Sequence, residues 1–487
     1  MNPSSYASLP ERFFARVQPT RVAAPHLVKL NEALATDLNI DLSGLDAPAL
    51  ANLFSGNDLP QGTVPIAMAY AGHQFGHFVA QLGDGRAILI GEMRDTAGVL
   101  RDIQLKGCGR TPYSRSGDGR AALGPVLREY LVSEAMHALG IPATRSLAAV
   151  TTGESVQRET ALPGAILTRV AASHVRVGTF EYFAARGDVA GTKILADYMI
   201  DRHYPLCAHD KSPYLALLKQ VVSRQAALIA AWMNVGFIHG VMNTDNMTVS
   251  GETIDFGPCA FMDAFDPATV FSSIDERGRY AYSNQPNAAL WNLARFAETL
   301  LPLIDADPQR AIAAATEAIA TFETLFNDSW LVGMRRKLGL SASEQGDRQL
   351  AEDLLKAMHR NQADFTLSFR ALCTAARDPQ GDGLMRAQFL NALDYDEWAQ
   401  RWRARMSREA AAPESRAEAM QEVNPAYIPR NHRVEQIIAA AVERGDFAPF
   451  EEFSQVLAAP YLERAAFAGY ANPPQPQERV LQTFCGT

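Results

Sequence analysis

The 487-residue chain is short of the features that would commit it to secretion, to membranes or to polyanions. Its five cysteines, Cys108, Cys207, Cys259, Cys373 and Cys485, are scattered and form no C-x-x-C pair, which excludes a disulfide framework and gives no zinc spacing. No apolar run reaches the roughly 20 residues of a membrane span, and the opening MNPSSYASLPERFFARVQPT lacks the apolar segment of a secretory signal. Basic residues are outnumbered, 45 Lys and Arg against 54 Asp and Glu, and the net charge of -9 disfavours nucleic acid or an anionic membrane as partner. These deficits predict a cytoplasmic protein in a reducing compartment, with any phosphate site assembled from locally placed Arg and Lys. What remains is an ordinary globular composition, 47% hydrophobic, with length enough for two or three domain-sized units.

Residues 1–60 mix short helical patterns with Pro and Gly breaks and read as an N-terminal extension. Residues 61–190 are strand-rich. In FVAQLGDGRAILIGEM, apolar runs flank Gly83-Asp84-Gly85, a strong hairpin signal, and Arg86 adds charge where backbone amides suit a phosphate. The next strand, VLRDIQLKG, ends with Lys106 among apolar neighbours. A second Gly-Asp-Gly-Arg, Gly117 to Arg120 with Asp118 and Gly119 at its centre, lies in a polar loop too poor in apolar residues to be core. It leads into a helix whose Leu123, Val126, Leu127, Tyr130 and Leu131 form a 3.6-residue stripe, ended by Gly140 and Pro142. Glu129 and Glu134 lie off or at the edge of that stripe. Arg169 follows an apolar strand, and Arg176 stands seven residues on.

From residue 191 to 470 the spacing is helical, as in ALLKQVVSRQAALIAAWMNVG and QRAIAAATEAIATFETLFNDSWLVGMRRKLGL. One polar loop, 239–257, interrupts it. There HGVMNTDNMTVSGETIDFG predicts a short strand around Met247 to Val249, a turn, and a second strand ending at Asp255, which places Asp245, Asn246 and Asp255 where oxygen ligands converge on a divalent ion. The order of His239, Asn246 and Asp255-Phe256-Gly257 resembles the H-R-D-L-x-x-x-N and D-F-G loops of protein kinases, with Val241 where the kinase base would stand. Strands followed by helices, with this loop among the helices, predict an α+β, bilobal protein-kinase-like fold. Residues 471–487 are a Pro-rich tail expected to be irregular.

Taken together, YAGHQFGHFVAQLGDGRA, IQLKGCGRTPYSRSGDGRAALGPVLREYLVSEAMHALGIPATR, HGVMNTDNMTVSGETIDFGPCAFMDAF and NPAYIPRNHRVEQII resemble the selenoprotein O (YdiU) family over nearly the whole chain. The resemblance implies a pseudokinase fold that binds ATP in an inverted orientation and transfers AMP, with possible use of UTP, to hydroxyl side chains of protein substrates, with Mg2+ or Mn2+. It implies nucleotide contacts from Gly83, Gly85, Arg86, Lys106, Asp118, Gly119, Arg169, Arg176 and Asp255. Glu129 would pair with Lys106, Asn246 and Asp255 would hold the metal, and Asp245 would accept the proton that Val241 cannot. A γ-phosphoryl transferase and a non-catalytic nucleotide-binding scaffold remain open on the residues alone. Residues 268–280 contain no cysteine, so Cys485 is expected to be a thiol dispensable for the chemistry, with Cys259 as its conceivable partner.

Overall fold

The computed structural model describes residues 1–484. Ten strands precede residue 172: β1 (Phe14–Arg16), β2 (His26–Leu30), β3 (Ile66–Met68), β4 (Gly72–Gln74), β5 (His77–Val79), β6 (Ala87–Arg94), β7 (Leu100–Lys106), β8 (Ala121–Ala122), β9 (Arg145–Gln157) and β10 (Ala161–Ala171). Eight form one antiparallel sheet in the order β1-β3-β6-β7-β10-β9-β2, with β8 added to β10, while β4 and β5 pair with each other. The helices used below are α1 (Glu32–Asp37), α2 (Ala47–Ser55), α3 (Leu123–Ala138), α4 (Val177–Ala184), α5 (Val189–His203), α6 (Pro213–Val235), α7 (Gln285–Ile304) and α8 (Pro308–Lys337). The fold is α+β.

Strand alternation sorts the central sheet into two chemically distinct faces. Ile103 and Leu105 of β7 and Ile166 and Val170 of β10 point to one side, where they pack with Leu34, Leu38 and Phe54 from the α1–α2 region. Asp102, Gln104 and Lys106 point to the other, and the register sets Gln104 opposite Arg169 and Lys106 opposite Leu167. On that second face Ala165 and Leu167 pack against Leu127 and Leu131 of α3, whose far side is covered by Val434 and Ile437 of the C-terminal helix Asn431–Arg444. Each such Leu or Ile contributes roughly 1.5–3 kcal/mol by leaving water. Enclosed on both sides, α3 buries Arg128 and Glu129 as well as its apolar stripe, so both charges require partners.

Two local expectations differ from the structure. The apolar runs around Gly83-Asp84-Gly85 do not form a hairpin, since β5 pairs with β4, and β6 pairs with β3 and β7. Instead the Leu82 and Asp84 amides donate to the Tyr70 and Met68 carbonyls, at 2.9 Å each, and the buried Asp84 carboxylate accepts from the Met68 amide at 3.1 Å. The second difference is in the loop 239–257. It holds no strand at Met247 to Val249 or before Asp255, because successive residues bridge different neighbours: Met247 meets Thr253, Thr248 meets Arg176, and Thr253 meets Ala143.

The tail carries short 3-10 turns at Ala465–Ala471 and Pro476–Glu478, and Thr483 bridges Ser272. Cys485 lies outside the described residues. No helix of the described residues is long and apolar enough to cross a membrane.

Arg430 ties the C-terminal segment to the rest. Almost fully buried, it pairs with Asp263, with Asp364 at 2.9 Å, and with the Ala471 carbonyl at 2.9 Å. Removing one partner of a buried charge cluster strands the others, so Arg430→Ala is expected to destabilise by roughly 3–5 kcal/mol in chemical denaturation. A loss below about 1 kcal/mol would show that water replaces the guanidinium.

Candidate active site

One face of the sheet, α3, the start of α4 and the loop 239–257 bring five sequence-predicted residues into direct contact. Lys106 Nζ donates to Glu129 Oε2 at 2.6 Å and to Asp255 Oδ1 at 3.2 Å. Arg169 donates from Nε to Glu129 Oε1 at 2.9 Å and from Nη2 to Asp255 Oδ1 at 2.7 Å. Arg176 Nη1 donates to Asp255 Oδ2 at 2.8 Å and to the Asp245 carbonyl at 2.7 Å, and its guanidinium lies 4.7 Å from the Tyr70 ring centroid. Asp255 itself sits in the left-handed backbone region, φ 63°, a conformation Asp tolerates better than most residues.

Burial opposes ionisation throughout this cluster. For Asp255 the facing Arg169, Arg176 and Lys106 outweigh it and hold the carboxyl well below the usual carboxylate range. Glu129 is likewise lowered against its burial by Arg169 and Lys106. Burial pulls the Lys106 ammonium below its ordinary value, with Glu129 opposing. Three cations therefore meet two carboxylates, leaving surplus positive charge inside an acidic protein.

Asp245 and Asn246 lie on a 3-10 turn, Thr244–Asn246. Asp245 is buried, and that burial pushes its carboxyl up to about 6 against the opposing effects of Arg176 and Gln74. Gln74 Nε2 donates to Asp245 Oδ2 at 3.2 Å, whereas Asp245 Oδ1 has no hydrogen-bond partner among the described residues. Arg176 Nε is also without a partner among them. Each is a buried polar atom whose bonding a water or a ligand would complete. Asn246 anchors its amide NH2 on the Val241 carbonyl at 3.0 Å, leaving the amide oxygen as its ligand atom.

The glycine loops form the rim. Gly83 and Gly85 lie against Tyr113, which a Cβ at residue 83 would meet at 2.4 Å. Thr111 Oγ1 donates to the Asp84 carbonyl at 2.7 Å, so the second loop rests on the first. Arg86 adjoins Lys106 through its backbone, its carbonyl accepting from the Gly107 amide at 2.6 Å. At Gly119 a side chain would lie 2.1 Å from the Gly109 carbonyl, so only glycine permits that approach. Asp118 is not brought into the cluster; its half-exposed carboxylate pairs with Arg158 at 2.9 Å. His239 is a strut, fully buried, with Nε2 2.9 Å from the Ile254 carbonyl.

Sequence reasoning missed the residues that hold this cluster. Arg128 donates from α3 to the Cys259 carbonyl at 3.2 Å and to Asn431 Oδ1 at 2.9 Å, and it pairs with Glu435. The segment NPAYIPRNHRVEQII carried the signal without revealing its target. Gln104 bridges Arg169 Nη1 and the Asp84 carboxylate at 3.3 Å each, and β-strand alternation with Lys106 was the available clue.

The described residues hold no group of three or more His, Cys, Asp or Glu suited to a metal. The donors present are the Asn246 oxygen and the Asp255 carboxylate, hard ligands that fit an ion taking its remaining oxygens from phosphate and water.

The family model described as protein adenylyltransferase SelO matches residues 2–458. A protein nucleotidyltransferase YdiU of Rhodopseudomonas palustris is 62% identical over 484 residues, covering 99% of this chain and 98% of its own. Proteins of the same description from Rhizobium etli and Bradyrhizobium sp. are each 61% identical, covering 99% of this chain and 97% and 98% of theirs.

Glu252, in the turn that closes the loop, makes stability depend on pH, with Arg101 3.5 Å from its carboxylate. It accepts from the Ala172 amide at 2.8 Å, and burial pushes its carboxyl up to about 7. An acid raised in the folded state costs nothing below its unfolded value and a growing amount as pH rises towards the folded one. Glu252→Gln is expected to leave stability unchanged near pH 4 and to raise it at pH 8 by up to roughly 3 kcal/mol. Equal effects at both pH values would show that the charge is not what burial opposes.

Proposed function

The chain belongs to the SelO family of protein adenylyltransferases and is a protein nucleotidyltransferase; from that premise we propose that it uses ATP and a divalent metal on protein substrates, and that its residues divide the work as follows. Lys106, Arg169 and Arg176 bind the nucleotide phosphates, with Arg86 and the loops at Gly83, Gly85, Asp118 and Gly119 around them. Glu129 and Asp255 hold the three cations in place before ATP arrives, so little reorganisation is needed on binding. Asn246 and Asp255 hold the ion, read here as Mg2+ or Mn2+. When bound, it supplies positive charge to the phosphate oxygens.

The reaction forms a bond from the substrate hydroxyl oxygen to the α-phosphorus and breaks the bond from that phosphorus to the bridging oxygen, releasing pyrophosphate. Asp245 accepts the hydroxyl proton. The observation that carries this reading is the contact between Arg176, one of the three cations converging on Asp255, and the carbonyl of Asp245, whose buried carboxylate makes no ion pair among the described residues. Aspartate at 245 thus serves where Val241 cannot. We further propose a bilobal kinase-like arrangement, in which strand-rich residues 61–190 carry the phosphate-binding groups and helical residues 191–470 carry the loop 239–257. Residues 1–60 are an extension that adds β1 and β2 to the main sheet and covers one face of it. We also propose a cytoplasmic location and, from the chain's net charge of -9, no nucleic-acid partner.

Incubation with ATP labelled at the α or the γ position tests the chemistry, with covalent label on protein expected from α alone. Label from γ would indicate a kinase, and no label a scaffold. Asp245→Asn is expected to lower α-label transfer by roughly 10²–10⁴-fold with little change in nucleotide affinity. Parallel loss of binding and transfer would make Asp245 a structural or metal-holding residue instead.

A further inference from the structure

The short β4–β5 hairpin stands apart from the main sheet and meets the loop beside it residue by residue. The His73 amide donates to Thr244 Oγ1 at 2.6 Å, Gln74 Nε2 to Asp245 Oδ2 at 3.2 Å, and the Phe75 amide to Asn243 Oδ1 at 3.0 Å. Three successive hairpin residues thus grip three successive loop residues. The grip is anchored at both ends. Glu181 of α4 accepts from the Thr244 hydroxyl and bonds the His73 ring, at 2.5 Å each, and Tyr280 donates its hydroxyl to Asn243 Oδ1 at 2.8 Å.

Two backbone features fit this purpose. Phe75 adopts a left-handed φ of 50°, a conformation that costs energy in a bulky residue and that the surrounding bonds maintain. A Cβ at Gly72 would stand 2.6 Å from Asp245 Oδ1, so glycine there lets the strand lie against the carboxylate without displacing it.

We propose that Gln74 is a positioning residue for Asp245: its amide donates to Oδ2 and, with Gly72 packed against Oδ1, fixes the rotation of the carboxylate that takes the proton of the substrate hydroxyl. The proposal rests on the reading of Asp245 as proton acceptor. Among the described residues Gln74 makes no hydrogen bond to Lys106, Arg169, Arg176 or Asn246, so its loss is expected to spare nucleotide affinity.

The test compares wild type, Gln74→Met, Gln74→Glu, Asp245→Asn and the double variant Gln74→Met/Asp245→Asn for α-label transfer and for ATP affinity. Gln74→Met keeps the length of the side chain and removes the donor; kcat is expected to fall about tenfold or more, as for loss of a hydrogen bond to a charged group, with ATP affinity unchanged. Gln74→Glu sets a carboxylate against a carboxylate and is expected to lose at least as much. In the Asp245→Asn background the Gln74→Met change is expected to have no further effect, because a residue acting through another contributes nothing once that other is disabled. Additive losses, or a fall in ATP affinity with kcat intact, would overturn the proposal. Wild-type kcat in Gln74→Met alongside an inactive Asp245→Asn would overturn it alone. Full turnover in Asp245→Asn would overturn it together with the assignment of Asp245.

Discussion

The structure depends on a single carboxylate shared by three cations. Asp255 receives Lys106 and Arg169 on one oxygen and Arg176 on the other, and each cation arrives from a different direction. Lys106 ends β7, Arg169 lies on β10 opposite Gln104, and Arg176 caps α4. Holding three like charges this close is unfavourable without compensating carboxylates, and Asp255 with Glu129 supplies them. That requirement explains why α3, otherwise an apolar helix enclosed on both sides, carries a buried glutamate.

The same constraint reaches outward. Glu129 stays in place only if α3 does, and Arg128 fastens α3 to the carbonyl of Cys259, four residues beyond Asp255, and to the C-terminal helix through Asn431 and Glu435. The C-terminal segment is in turn secured by Arg430 against Asp263 and Asp364. An element 303 residues further along the chain, at Asn431, therefore helps to set the position of the clustered cations. On the opposite side of the loop, the β4–β5 hairpin fixes Asp245.

Much of this was legible in the chain. The strand ending at Lys106, the helix bearing Glu129 and the Asp255-Phe256-Gly257 motif each have a local signature, and their family resemblance joins them. The glycine-flanked Asp84 was misread because a hairpin signal reports only that two apolar runs flank a turn. It does not report that a buried carboxylate will bond the Met68 amide and lead the chain past β3 instead. The loop 239–257 looked like paired strands for a similar reason, yet its two halves meet in a single bridge, Met247 to Thr253, and otherwise bridge Arg176 and Ala143 outside it. Gln74, Gln104 and Arg128 were invisible as site residues because their targets lie 171, 65 and 131 residues distant in sequence. Their roles come from tertiary contact, which no local pattern encodes.

The most direct test of the shared carboxylate is Asp255→Ala, with metal-dependent ATP binding and α-label transfer measured on the same folded protein. Loss of both, with cooperative thermal unfolding retained, is the expected result, because the variant scatters the cations and removes an ion ligand together. Transfer at the wild-type rate would contradict the account.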